Sequence, residues 1–306
     1  MRAVIVREFG GPEALEIAEV PSPEPGPGQV RIRVTAAALN PVDEQTRAGA
    51  LAGLHGPLPH VGIGWDVAGV IDGIGEGVTG FSPGDPVIGL RDRLTEPLGS
   101  HAEQVVLDAS AVAPSTLDPV EGATLPLNAL TAVQALDALD LRTGQTVLVT
   151  GAAGGLGGYL VELATLRGLR VAALAGGGDE ELVRGLGAEF FVPRGENLAA
   201  AVRRRLPGGV DGVVDAAVLG TEALDAVRNE GTFVSVLGDG PRGLRGITVR
   251  SVWIRADGRA LTALARLAAL GRLTQRVAGT YPLAEAEKAH RRLREGGLRG
   301  RLVLVP

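Results

Sequence analysis

A short apolar run, Thr146-Val147-Leu148-Val149-Thr150, ends in Gly151-Ala152-Ala153-Gly154-Gly155-Leu156-Gly157 and passes at once into a helical pattern. Strand, glycine turn and helix in that order build a cradle for a dinucleotide pyrophosphate. Gly154 lets the backbone come close to the phosphates, and Gly157 lets the new helix pack tightly on its strand. The helix start then turns N–H groups and a partial positive charge toward the anion. The usual fingerprint opens with glycine, and Ala152 stands there instead. Context, not the motif alone, carries the reading, and a close-packed turn that binds nothing is its competitor.

The elements that would position this cradle are legible from periodicity. Leu156, Leu160, Leu163 and Ala164 fall on one helical face, Gly168 is a stop signal, and Arg170 to Ala175 supplies the next strand. Further strands are expected at 189–192, 210–216, 232–237 and 247–254, with helical patterns between the earlier ones, the sign of a doubly wound parallel sheet. Before this region the chain is β-rich and turn-rich, with Pro21, Pro23, Pro25 and Pro27 forming an extended connector. After it come a helix at 260–270, a strand near Tyr281, a helix to about Glu295 and a last strand at 302–305. The fold class expected is therefore α/β. Residues 119–271 form the dinucleotide-binding domain, inserted into a β-rich domain made of residues 1–118 and 272–306.

Composition limits the partners. The 306 residues suggest two domains, and a net charge of −5 argues against a nucleic-acid surface. Arg203-Arg204-Arg205 and Arg291-Arg292 read as solvated helix faces. No apolar stretch reaches bilayer length, and Met1 to Arg7 reads as a strand rather than a signal peptide. A cytoplasmic protein without a membrane or nucleic-acid partner is the expectation. With no cysteine, disulfide and thiolate chemistry are excluded. The four histidines, His55, His60, His101 and His290, show no metal-ligand spacing.

The chain resembles the zinc-free quinone oxidoreductase branch of the medium-chain dehydrogenase/reductase superfamily nearly end to end. The likeness is carried by Glu8-Phe9-Gly10-Gly11-Pro12-Glu13, Asn40-Pro41-Val42-Asp43, Gly64-Trp65-Asp66-Val67-Ala68-Gly69, Leu130-Thr131-Ala132, the glycine loop and Gly300-Arg301-Leu302-Val303-Leu304. The resemblance implies a GroES-like β-rich catalytic domain, a Rossmann-type cofactor domain and a cleft between them. It also implies a homodimer formed through the last cofactor-sheet strand, near Val249 to Ile254. Zinc-dependent relatives have cysteine at the place of Asn40 and a His-Glu pair at Trp65-Asp66, so no metal site is expected.

From the same resemblance, Asn40 and Thr131 lie near the nicotinamide. Turn capping for Asn40 and a self-bonded helix hydroxyl for Thr131 are the plainer readings. Val218, Leu237, Gly238, Val252 and Trp253 are expected at the carboxyl edge of the sheet, lining the nicotinamide end. The branch often carries a tyrosine where this chain has Gln45, whose amide cannot donate a proton as a phenol can. His60 and His101 are candidate substitutes, and Asp43 and Asp66 are read as structural anchors.

NAD-specific domains place an acid at the end of the second strand. Here Ala175 and Gly176 stand there, which favours NADP(H) while leaving NAD(H) open, and Arg194 is the candidate for the 2′-phosphate. The cradle is assigned to Gly151, Ala152, Ala153, Gly154, Gly155 and Leu156. The function expected is NADPH-dependent hydride transfer to a quinone or related conjugated carbonyl. The alternative is a non-catalytic NADP(H)-binding redox sensor or scaffold.

Overall fold

The computed structural model describes residues 1–306, and its contacts divide the chain into two compact units. The first comprises residues 1–127, 255–271 and 275–306, and the second residues 128–254 and 272–274. This division differs from the expected boundaries at 118/119 and 271/272. The helix after residue 255 packs on the β-rich unit, where a side chain at Gly258 would lie 2.4 Å from the Val112 carbonyl oxygen.

In the first unit the chain runs β1 (Arg2–Val6), β2 (Glu16–Glu19), β3 (Gln29–Leu39), α1 (Pro41–Arg47), α2 (Ala52–His55), β4 (Val61–Gly62), β5 (Asp66–Ile74), β6 (Pro86–Leu90), β7 (Gln104–Asp108), β8 (Val112–Pro114), α3 (Pro119–Gly122) and the start of α4 (Pro126–Leu139). A three-stranded sheet, β2-β1-β4, accompanies the larger sheet, in which β3 pairs with β5 and β7, and β5 with β6. Alternation of Val30, Ile32 and Val34 with Arg31 and Arg33 gives β3 one buried face, as its pattern predicts.

The second unit is a six-stranded parallel sheet. Its elements are β9 (Thr146–Thr150), α5 (Gly155–Leu166), β10 (Arg170–Ala175), α6 (Glu180–Gly185), β11 (Phe190–Pro193), α7 (Leu198–Arg205), β12 (Val210–Asp215), α8 (Thr221–Leu224), β13 (Val227–Ser235) and β14 (Thr248–Ser251). The strand order is β11-β10-β9-β12-β13-β14, so connectivity reverses between β9 and β12. Ligands of such sheets bind beyond the carboxyl ends at that reversal. Strands β9 and β10 are almost wholly apolar, as burial on both faces requires.

Two sequence expectations are revised. Helix α5 is buried nearly all round, Tyr159 and Val161 included, so its apolar residues do not form the single face expected. Strand β14 ends at Ser251 and β13 at Ser235, which leaves Leu237, Gly238, Val252 and Trp253 just past strand ends. The remaining elements, α9 (Gly258–Ala269), β15 (Val277–Pro282), α10 (Ala286–Arg294) and β16 (Arg301–Val305), belong to the first unit. There β16 pairs antiparallel with β3.

Candidate dinucleotide site and a buried polar cluster

The glycine loop sits between β9 and α5, at the reversal. Gly151 has φ +63°, a left-handed conformation that favours glycine, and its Ala152 N–H donates to the Leu174 carbonyl at the end of β10. Gly157 has no room for a side chain: a Cβ there would lie 2.1 Å from the Gly151 carbonyl oxygen and 2.7 Å from the Ala152 Cα. The N-cap of α5 is Gly154, which has no side chain of its own to cap the helix. The loop therefore fits a diphosphate, with Ala152, Ala153, Gly155 and Leu156 in the same turn as the glycines.

The neighbouring loop after β12 is pinned to the same place. Thr150 donates its hydroxyl to Asp215 at 2.7 Å and accepts from the Ala217 N–H at 2.9 Å, while the Gly220 N–H donates to the other Asp215 oxygen at 2.8 Å. Inside this clamp Val218 is 57% exposed with φ +57°, a strained conformation for a β-branched residue. Sequence reasoning singled out Val218 but missed the Thr150–Asp215 pair. The signal was available, since both residues end apolar strands flanking the reversal.

Other expected residues of this unit take the places their strands dictate. Ala175 closes β10, Gly176 follows it, and the Ala175 carbonyl accepts from the Arg194 N–H at 2.8 Å. The Arg194 side chain is exposed beside that strand end. Gly238 has φ +64°, the Val252 N–H donates to Ser235, and Trp253 is 52% exposed. Val252 is half-buried, so core packing does not account for it. Thr131 is buried on α4.

The first unit holds a separate polar cluster. Asn40 closes β3 and caps α1; its backbone N–H donates to Asp43 Oδ2 at 2.7 Å, and its side-chain Nδ2 donates to Asp66 Oδ2 at 2.7 Å. Asp43 Oδ1 also accepts from the Gly64 N–H, and Asp66 Oδ1 from the Leu127 N–H at 2.6 Å. Both aspartates are thus backbone anchors, as expected, and Asp66 holds the Asn40 amide as well. Burial pushes each carboxyl up to about 7, against the pull of these N–H donors.

Burial lowers the pKa of two histidines of this unit. His101 Nε2 faces the Ala38 carbonyl at 3.1 Å, and burial lowers its pKa to about 4. Arg47 donates to His290 Nδ1 at 3.0 Å; burial first, then His101 and Arg47, lower the His290 pKa to about 2. The expectation that His101 replaces the missing tyrosine as a charged acid is corrected, because a ring so buried carries no proton to give near neutrality. His60 is half-buried. Arg91, just beyond β6, is a further buried charge that sequence reasoning did not raise.

Comparison with known proteins agrees with this architecture. Residues 26–116 match the family described as Alcohol dehydrogenase GroES-like domain, and residues 186–304 that described as Zinc-binding dehydrogenase. An NADPH-dependent alkenal/one oxidoreductase of Arabidopsis thaliana, chloroplastic, is 31% identical over 100% of this chain and 80% of its own. Quinone oxidoreductase of Homo sapiens is 30% identical over 100% of this chain and 98% of its own. The chain belongs to the medium-chain dehydrogenase/reductase superfamily, in its quinone oxidoreductase branch.

Within that branch the solved quinone oxidoreductase of Coxiella burnetii superposes with a TM-score of 0.90 at 28% identity, covering 100% of this chain and 99% of that one. Another curated relative, 33% identical, is spanned over only 62% of its length. One family description invokes zinc, and the residues present do not fit it. The chain has no cysteine, and nowhere do three His, Asp or Glu side chains gather as a ligand set. Asn40 and Trp65 cannot complete a tetrahedral donor set with Asp66.

Proposed function

We propose that this medium-chain oxidoreductase uses NADPH, without zinc, to reduce quinones or related conjugated carbonyls. The observation that carries the reading is the glycine loop at the sheet reversal, where Gly157 leaves no space for a Cβ. The turn from Gly151 to Leu156 holds the diphosphate, with the N–H groups of Gly155 and Leu156 at the start of α5 donating to it, since those of Ala152 and Gly154 are given to Leu174 and Gly151. Neither Ala175 nor Gly176 places a carboxylate on β10 itself, although the Asp179 carboxylate lies against Gly176, and exposed Arg194 binds the 2′-phosphate. Val218, Leu237, Gly238, Val252 and Trp253, together with Thr131, bound the nicotinamide end. The bound coenzyme supplies the hydride. Asn40 orients the acceptor's oxygen through its amide NH2, and the reduced acceptor takes its proton from water.

A relative named for alkenal/one reduction and others named for quinone reduction support the acceptor class, and they favour turnover over a redox sensor or scaffold. Strand β14 forms one edge of its sheet, with exposed residues along it, and suits a homodimer built by pairing with a second copy. No helix is long and apolar enough to cross a membrane. We place the protein in the cytoplasm, with neither a membrane nor a nucleic-acid partner.

The test is steady-state NADPH oxidation with a panel of quinones and enones, alongside fluorescence titration with NADPH and NADH. Turnover on at least one acceptor, unchanged by a chelator, is expected, as is a preference for NADPH that collapses in Arg194→Ala. Tight binding with no turnover on any acceptor would return the sensor reading. Equal affinity for both coenzymes would remove Arg194 from the account.

A further inference from the structure

The acid that reads the adenosine ribose in NAD-specific domains stands at the end of the second strand of the sheet. Here that strand, β10, closes with Ala175 and Gly176 follows, so neither position offers one. The fold supplies a carboxylate from further along. Gly177–Asp179 forms a single 3-10 turn, closed by the Asp179 N–H donating to the Gly176 carbonyl at 2.9 Å. The turn brings the Asp179 side chain back to the strand end, where a Cβ on Gly176 would lie 2.9 Å from Asp179 Oδ2. The carboxylate stands against the place where a side chain of residue 176 would begin.

Two plainer readings do not account for this arrangement. Asp179 is the N-cap of α6, yet its side chain takes no capping bond from the first turn of that helix. Gly176 has φ −63° and ψ 153°, extended backbone that any residue adopts, so its missing side chain serves room rather than conformation. Arg194 adjoins the same strand end, since its backbone N–H donates to the Ala175 carbonyl at 2.8 Å. The next acid, Glu180, is paired with Arg184.

Two opposite charges at one strand end act oppositely on the two coenzymes. A carboxylate only accepts, so it takes a hydrogen bond from a ribose hydroxyl and repels a phosphate. A guanidinium binds a phosphate and cannot accept from a hydroxyl.

We propose that Asp179 is a specificity-determining residue, whose carboxylate accepts from the ribose 2′-hydroxyl of NADH and repels the 2′-phosphate of NADPH. This rests on the reading of the glycine loop as a dinucleotide site with Arg194 at the phosphate. The size of the NADPH preference is set by Arg194 against Asp179, since discrimination comes from a penalty on one ligand as well as from contacts to the other.

The experiment is fluorescence titration of wild type, Asp179→Asn and Gly176→Ala with NADPH and with NADH, at low and high salt, with thermal unfolding recorded for each. Asp179→Asn keeps the shape and removes the charge. Its ratio of NADPH to NADH affinity is expected to exceed that of wild type by about tenfold or more, with the unfolding temperature little altered. High salt should narrow this gap, because it screens the repulsion, and a merely structural role would show no such narrowing. Gly176→Ala leaves the charge in the chain but occupies its place, and is expected to raise the ratio by about threefold or more. It serves if Asp179→Asn does not fold.

An unchanged ratio in a folded variant, or an equal loss for both coenzymes, would overturn the role of Asp179 and leave the dinucleotide site standing. Wild type that binds neither coenzyme would remove both.

Discussion

Thr150 and Asp215, the last residues of β9 and β12, are joined by a 2.7 Å hydrogen bond across the point where the order of the parallel sheet reverses. Each also holds a backbone N–H of the loop beyond β12, Ala217 by Thr150 and Gly220 by Asp215. The loop carrying strained Val218 is therefore braced from both strands. Strain in a loop persists only where the surroundings over-determine it.

Asp215→Ala removes that brace and leaves the Thr150 hydroxyl and the Gly220 N–H without their acceptor. A loss of about 2 kcal/mol in unfolding free energy is expected, together with weaker NADPH binding. Urea unfolding and a fluorescence titration read the two effects. A variant as stable as wild type would mean that the brace carries no energy.

Val218→Asn tests the strain itself. Asn adopts the left-handed conformation more readily than a β-branched residue, so this exposed substitution is expected to stabilise by about 1 kcal/mol. Calorimetry would show a raised unfolding temperature. A lowered one would mean that the valine side chain contributes packing its exposure conceals.

Gly157→Ala tests the cradle. Its Cβ would fall 2.1 Å from the Gly151 carbonyl oxygen, a backbone atom that cannot swing aside. Helix α5 must shift off its strand, and overpacking of this sort costs about 1–3 kcal/mol. NADPH affinity is expected to drop at least tenfold. Gly177→Ala, where nothing lies within 4 Å of the added carbon, is the control and should bind NADPH nearly as wild type does.

Much of this was legible in the chain, because it follows from local rules. The strand–glycine–helix order, the Gly168 stop, the proline connector and the strand-end positions of Val218, Leu237 and Trp253 all depend on neighbours in sequence. What was not legible depends on partners far apart. Nothing in Asn40-Pro41-Val42-Asp43 indicates that the Asn40 amide is held by a residue 26 positions later, or that Arg47 meets His290 across 243. The burial of α5 nearly all round was hidden too, because its small residues Gly157 and Gly158 read as neither face until their neighbours are in place.

The buried ionisable groups of the first unit set a pH profile of stability. Burial raises Asp43 and Asp66 from 3.8 to about 7, so the native state holds protons that the unfolded chain has released, and this contribution is lost as pH climbs from about 4 to 7. Burial lowers His101 from 6.5 to about 4 and His290 from 6.5 to about 2; their contribution is complete above 6.5 and is lost as pH falls below it. Between 4 and 6.5 the two histidines take up protons only on unfolding, while the two carboxyls bind protons only when folded, so the four slopes cancel in that window. Urea unfolding is therefore expected to give a plateau there, with stability falling below pH 4, where the unfolded histidines and carboxyls are all protonated. It should also fall from 6.5 toward 7, where only the folded carboxyls keep their protons. His290→Gln removes one of the two acid-side slopes, so in that variant stability should decline as pH rises across the former plateau. A steady gain in wild-type stability from pH 4.5 to 6.5 would mean that the carboxylates are ionised in the folded protein, with their N–H donors outweighing burial.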